Sequence, residues 1–186
     1  MIVVKLGGSL LASGWLLPCL DKIGRGYQGQ SVVIVPGGGY FAEQVRFAQQ
    51  QWQFDDRTAH QMAILAMQQM ALLIHAVKPA CYIASSLADL RQQNIGQQLM
   101  VWSPDIRDLD AANIAASWSI TSDSLSAWLA TVLNANELIV VKSVKIAPDF
   151  TVQKLIDAQV VDRSFQEYSQ QATFKLSVVN AETFIS

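Results

Sequence analysis

Lys5-Leu6-Gly7-Gly8-Ser9 and Gly37-Gly38-Gly39 each set a glycine run directly after a short apolar, β-branched stretch and before a segment with helical periodicity. Glycine lets the chain turn tightly and bring backbone N–H groups close to a ligand, and the following helix adds the positive end of its dipole. Both segments therefore suit an anion. Neither fits the GxxxxGK(S/T) phosphate loop or the GxGxxG dinucleotide fingerprint. Two such loops in one short chain point to two phosphate-like groups facing each other, although either loop alone could be no more than a tight strand-to-helix turn. Lys5 ends a run whose other residues are apolar. Its ammonium either snorkels to solvent or enters the ligand crevice, where it would neutralise charge on a transferring phosphoryl group. In the segment from Trp118 to Leu125, Thr121 or Ser122 can cap a helix and Asp123 suits its first turn. A functional Asp123 would orient lysine ammonium groups or hold a metal. Lys142 and Lys145 follow another apolar run, where two cations could grip a nucleotide polyphosphate or simply be solvated.

Positioning these residues requires strands and helices in alternation. Buried strands are expected over 2–6 and 31–35, with further strands at 80–84, 98–102, 137–142 and 174–179. Helices are expected over 15–24 with Ser13 as cap, 40–53, 56–77, 86–93, 122–133 and 152–158. Phe41, Val45 and Ala48 share one face of the second of these, and Lys78-Pro79 ends the third. The alternation predicts an α/β fold, a three-layer α/β/α sandwich with a mainly parallel central sheet, in which ligands bind outside the carboxyl ends of the strands. One domain is expected over 1–186, with no linker dividing it.

Composition narrows the partners. The 186 residues are 51% hydrophobic and 15% charged with a net charge of -2, which describes a single domain with a generous core and argues against nucleic acid as partner. Cys19 and Cys81 are lone thiols, as in a reducing compartment, and no metal site is expected from the His, Cys and carboxylate spacing. The apolar stretches 1–20 and 62–77 read as neither leader nor membrane span, since the first lacks a basic start and the second is too short and carries polar side chains. A cytoplasmic protein is expected.

The order KLGGSL, VVIVPGGG, TSDSLSAWLA and LIVVKS resembles the amino acid kinase superfamily over most of the chain. That resemblance implies Mg-ATP as phosphoryl donor. It places Lys5, Gly7, Gly8 and Ser9 at the donor phosphates, with Thr121, Ser122, Lys142 and Lys145 also on the ATP side. Gly37, Gly38 and Gly39 would cradle the acceptor and the transferred group. Asp123 would organise the catalytic lysines, Lys5 and Lys142. The segment 57–66 is similar to the acceptor helix of uridylate kinases, which makes Arg57 and His60 acceptor-binding candidates. His60 stands where those kinases have an aspartate for the ribose, which argues against UMP as acceptor. The usual lysine-bearing loop further along is missing, so Lys142, or failing that Lys145, replaces its lysine. The sequence looks most like the small branch near the kinase for (aminomethyl)furanylmethyl phosphate in methanofuran-type cofactor synthesis, where the acceptor is itself a phosphate and the product a diphosphate. The superfamily also implies a homo-oligomer.

Other side chains have structural readings. His75 suits a structural role, Trp102, Trp118 and Trp128 suit core or subunit interface, and Asp105, Arg107, Asp108 and Asp110 form a solvated loop or lid. The competing functional reading is a member of the same fold that binds a nucleotide or anion without turning it over.

Overall fold

The computed structural model describes residues 1–92, 99–170 and 172–186. Its elements, in chain order, are β1 (Ile2–Leu6), α1 (Ser9–Ala12), α2 (Leu16–Gly26), β2 (Val32–Pro36), α3 (Gly39–Trp52), α4 (Asp56–Val77), β3 (Tyr82–Ala84), α5 (Leu87–Gln92), β4 (Leu99–Trp102), α6 (Ile106–Ala111), α7 (Ser122–Val132), β5 (Glu137–Lys142), α8 (Val152–Asp157), α9 (Phe165–Ser169), β6 (Lys175–Asn180) and α10 (Ala181–Ile185).

All described strand pairs are parallel, and the sheet runs β3-β4-β2-β1-β5-β6. Strands β1 and β2 are buried throughout because helices cover both faces. The chain moves from β1 outward through β2 in one direction and through β5 in the other, so a crevice opens at the carboxyl ends of β1 and β5.

The two faces of β1 have different fates. Ile2, Val4 and Leu6 pack with α1, α2 and α10, while Val3 packs with Val33, Val35, Leu138, Val140 and the α7 residues Leu125 and Leu129. Alternation puts Lys5 on the α7 side, next to its register partners Val35 and Val140. In β5 the same alternation carries Lys142 onto the face of Leu138 and Val140. Both lysines therefore emerge under the start of α7.

The predicted strands and long helices appear with ends shifted by a residue or two, and α4 keeps both predicted ends. Gln93 and Gln98, which closed one predicted helix and opened one predicted strand, lie outside the described residues. Three expectations are corrected. Ser13 does not cap α2; it closes α1, and Trp15 occupies the cap position of α2. The acidic run at 105–110 is helix α6, nucleated by the Asp105 carboxylate accepting from the Arg107 N–H at 2.8 Å. Neither Thr121 nor Ser122 caps α7 with its side chain: Thr121 holds the cap position, but its hydroxyl turns elsewhere.

Candidate active site

The two glycine loops touch. A Cβ on Gly8 would meet the backbone nitrogen of Gly39 and approach its Cα to 2.5 Å, so this crossing admits only glycine. Gly39 also takes φ +55°, turning the chain into α3. The close approach leaves fewer free amides than the sequence leads one to expect. The Gly7 N–H donates to Val141 O at 2.9 Å and the Gly37 N–H to Leu6 O at 2.8 Å, so both continue the sheet ladder instead of facing a ligand. The amides of Gly39, Tyr40 and Phe41 open α3 ahead of its own hydrogen-bond ladder, which begins with Ala42 N–H on Gly38 O at 3.3 Å, and Gly37, Gly38 and Gly39 line the crevice.

Beneath the loops, Asp123 is buried between two ammonium groups. Lys5 Nζ stands 2.6 Å from Oδ1 in an ion-pair contact without hydrogen-bond alignment, and Lys142 Nζ donates to Oδ2 at 2.8 Å. Lys5 is 3% exposed and Asp123 5%. Burial alone would raise the Asp123 pKa, but Lys5 and Lys142 outweigh it and hold the carboxyl below the usual carboxylate range. Lys142 is pushed down to about 8, first by burial and then by repulsion from Lys5, with Asp123 opposing both. The triad carries one net positive charge. With an ammonium group against each of its oxygens, Asp123 orients Lys5 and Lys142 and is not free to hold a metal ion. Among the described residues no group of three His, Cys, Asp or Glu side chains could hold a metal by itself.

Two adjoining cavities lie beside this cluster; Asp123 and Lys142 line the larger, and Lys5 lines neither. The smaller, about 210 Å³, is bounded by Gly8, Ser9, Gly37, Gly38 and Gly39, with His60, Met67, Thr121, Ser122 and Leu125 deeper in. The larger, about 1010 Å³, exposes Asp123 and Lys142 and is closed by the segment from Ile156 to Arg163. Arg46, Asp56, Ser117, Trp118 and Thr121 line both.

The structure thus brings together Lys5, Gly8, Ser9, the Gly37-Gly38-Gly39 loop, His60, Thr121, Ser122, Asp123 and Lys142. Ser9 shares a 2.8 Å hydroxyl contact with Ser143. His60 is buried, with Nε2 unpartnered; burial lowers its pKa, with Asp110 opposing and Arg57 assisting. Two candidates lie apart. Arg57 pairs with Asp110 at the surface (3.0 Å) and lines neither cavity, and Lys145 is exposed beyond the end of β5 and lines neither.

Sequence reading missed Arg46, Trp118 as a site residue, Asp162 and Arg163. Trp118 stands between the cavities, its Nε1–H donating to Gln49 Oε1 at 2.6 Å and the Arg46 guanidinium 4.0 Å above its ring. Gln49 in turn donates to Asp56 Oδ1 at 2.9 Å, tying α3 to the start of α4. The aromatic-arginine pairing spans distant segments, and no local spacing signals it. The structural reading holds for Trp102, which is fully buried; His75 is exposed, and its Nδ1 lies 2.8 Å from Cys81 O.

Comparison with known proteins places these features in a family context. The family model described as the amino acid kinase family matches residues 1–157. A (5-(aminomethyl)furan-3-yl)methyl phosphate kinase from Methanocaldococcus jannaschii is 31% identical over 147 residues, which cover 77% of this chain. The match spans 66% of that relative's length. Among solved structures, a uridylate kinase from Archaeoglobus fulgidus superposes with a TM-score of 0.75 at 18% identity, covering 99% of this chain and 93% of that one. A UMP kinase from Ureaplasma parvum gives 0.69 at 17% identity, covering 97% and 89%. At these identities the likeness is one of fold. Among the described residues no helix is long and apolar enough to cross a membrane.

Proposed function

Because the chain belongs to the amino acid kinase family, we propose that it is a cytoplasmic phosphotransferase that moves the γ-phosphoryl group of Mg-ATP onto a small acceptor, first among them (aminomethyl)furanylmethyl phosphate. The observation that carries the reading is the Lys5–Asp123–Lys142 triad, whose Asp123 and Lys142 line the larger of two adjoining cavities. A phosphoryl group in flight spreads negative charge over its oxygens, and catalysis consists of positioning it and stabilising that charge. Lys5 and Lys142, held apart by one carboxylate, offer that stabilisation from a water-poor floor. The α3 amides and the glycine crossing above them hold the acceptor side.

The smaller cavity belongs to the acceptor and the larger to the nucleotide. The walls support this division: the smaller draws mainly on residues from Gly8 to Met67, and the larger on Ser117 to Arg163. Lys142 takes the place of the family's downstream ATP lysine, and Arg163 at the rim of the larger cavity is better placed than Lys145 to add a second cation. An acceptor that is already a phosphate monoester is ionised at neutral pH, so no general base is needed and the product is a diphosphate. The 31% identical relative, named for such an acceptor, supports this choice, and the small His60-floored cavity disfavours a nucleotide in the acceptor position.

The test is ADP release from Mg-ATP with (aminomethyl)furanylmethyl phosphate, UMP, isopentenyl phosphate, acetylglutamate and aspartate in parallel. The furan phosphate is expected to be turned over and UMP to be at background. Turnover of a different member of the panel would keep the phosphotransfer and replace the acceptor; nucleotide binding without turnover of any would replace the enzyme with a binding protein.

A further inference from the structure

The end of α7 that carries Asp123 is held from outside the helix. Thr121 occupies the cap position without capping, and the carboxylate that serves this turn is that of Asp162, in the segment between α8 and α9. Asp162 Oδ2 accepts from the Thr121 N–H at 2.9 Å, the Thr121 hydroxyl at 2.7 Å and the Ser124 N–H at 3.0 Å, and Oδ1 accepts from the Ser124 hydroxyl. Thr121 and Ser124 flank Asp123 on both sides. Both oxygens of one carboxylate are therefore committed to the single turn that presents the carboxylate between Lys5 and Lys142.

Asp162 is itself fixed. Its neighbours Val161 and Phe165 are buried in the core cluster that contains Leu125 and Leu129 of α7. The Ser164 N–H donates to Ser119 O at 3.0 Å, clamping the same segment to the stretch before α7. First turns fray, because their amides lack intrahelical partners, and this one is also pulled by two ammonium groups acting on Asp123. Without Asp162 the Thr121 and Ser124 donors would be left part-buried and unsatisfied, and the turn would relax to find other partners.

We propose that Asp162 is a positioning residue: by anchoring Thr121 and Ser124 it sets the place of Asp123 between Lys5 and Lys142. The kinetic part of its test rests on the phosphotransfer reading above; the spectroscopic part does not. Wild type, Asp162→Ala, Asp162→Asn and Asp105→Ala are compared. The last removes an equivalent carboxylate cap from α6, which has no link to Asp123, and so controls for loss of a cap as such. The first readout is the Cε and Nζ resonances of Lys5 and Lys142, which report the contacts of each ammonium with Asp123. In Asp162→Ala these are expected to move and kcat to fall about 10- to 100-fold, the scale of a misplacement near 1 Å, with both KM values within about twofold of wild type.

Asn keeps one acceptor oxygen and loses the charge, so Asp162→Asn is expected to fall between the two in both readouts. Asp105→Ala should leave resonances and kcat in place. Unmoved lysine resonances in a folded Asp162→Ala protein, or equal movement in Asp105→Ala, would overturn the proposal. If Asp162→Ala does not fold, the same comparison is read from Asp162→Asn, with unmoved resonances again overturning it. Wild type that turns over no acceptor would remove the phosphotransfer reading while the resonances still decide the role of Asp162.

Discussion

Lys5 and Lys142 are chemically alike but differ in what surrounds them, and their variants should differ accordingly. Lys5 is buried against the ion-pair partner Asp123, which keeps Lys142 if Lys5 is lost. Lys5→Ala is therefore expected to stay folded, as read by circular dichroism, while turnover falls by about 10²- to 10³-fold, the usual loss of one preorganised charge donor. Turnover close to wild type would remove Lys5 from the chemistry. Lys142 acts as an ammonium only below its lowered pKa of about 8. Turnover should consequently be flat towards neutral pH and decline above about pH 8 as the proton leaves. Lys142→Arg keeps the charge at every accessible pH, so whatever activity it retains should show no decline in that range. These roles were partly legible in the sequence, because a lysine in an apolar strand followed by glycines has few uses. Asp162 was not: its partners lie 38 and 41 residues away, and its role exists only once α7 and α9 pack together.

At the scale of elements, the crossing of the two glycine loops is the joint on which the crevice depends. Gly8→Ala would drive a methyl group into the Gly39 backbone, which has no flexible side chain to yield. The loops must part, costing about 1–3 kcal/mol as overpacking does, and the crevice wall at Gly37 to Gly39 shifts with them. The expected outcome is a lowered melting temperature with turnover reduced far more than the fraction unfolded accounts for; a protein with wild-type melting and turnover would show that the loops tolerate separation. Sequence patterning was informative wherever burial dominates. The β1 and β5 runs are apolar because both sheet faces are covered, and α4 is bounded by its Asp55 cap and by Lys78-Pro79. It was weak for α6, α9 and α10. These helices have six, five and five residues, too short for periodicity, and depend on caps or on docking against the sheet. The glycine loops were read as phosphate-type loops with free amides, but the capture of the Gly7 and Gly37 amides by the sheet follows from strand register, which spacing does not disclose.

The whole molecule sets two cavities of unequal size side by side, with Trp118 in the wall of both. This arrangement makes a prediction about which constants move. His60 lines only the smaller cavity, Arg163 only the larger, and Trp118 both. If the smaller cavity takes the acceptor and the larger the nucleotide, His60→Ala should raise KM for the acceptor and leave KM for ATP unchanged. Arg163→Ala should do the reverse, by about tenfold, the equivalent of about 1.4 kcal/mol for one charge-assisted contact. Trp118→Ala should raise both, because removing the ring also frees the Arg46 guanidinium stacked on it and the Gln49 amide bonded to it. Steady-state kinetics with each substrate varied against saturating partner gives all six constants. A His60 variant that alters only the ATP constant would reverse the assignment of the cavities, and a Trp118 variant that alters only one would show that the wall between them belongs to a single site. The division of labour would then have to be redrawn around Arg46 and Trp118, which line both cavities, and the Asp123–Lys142 pair, which lines only the larger.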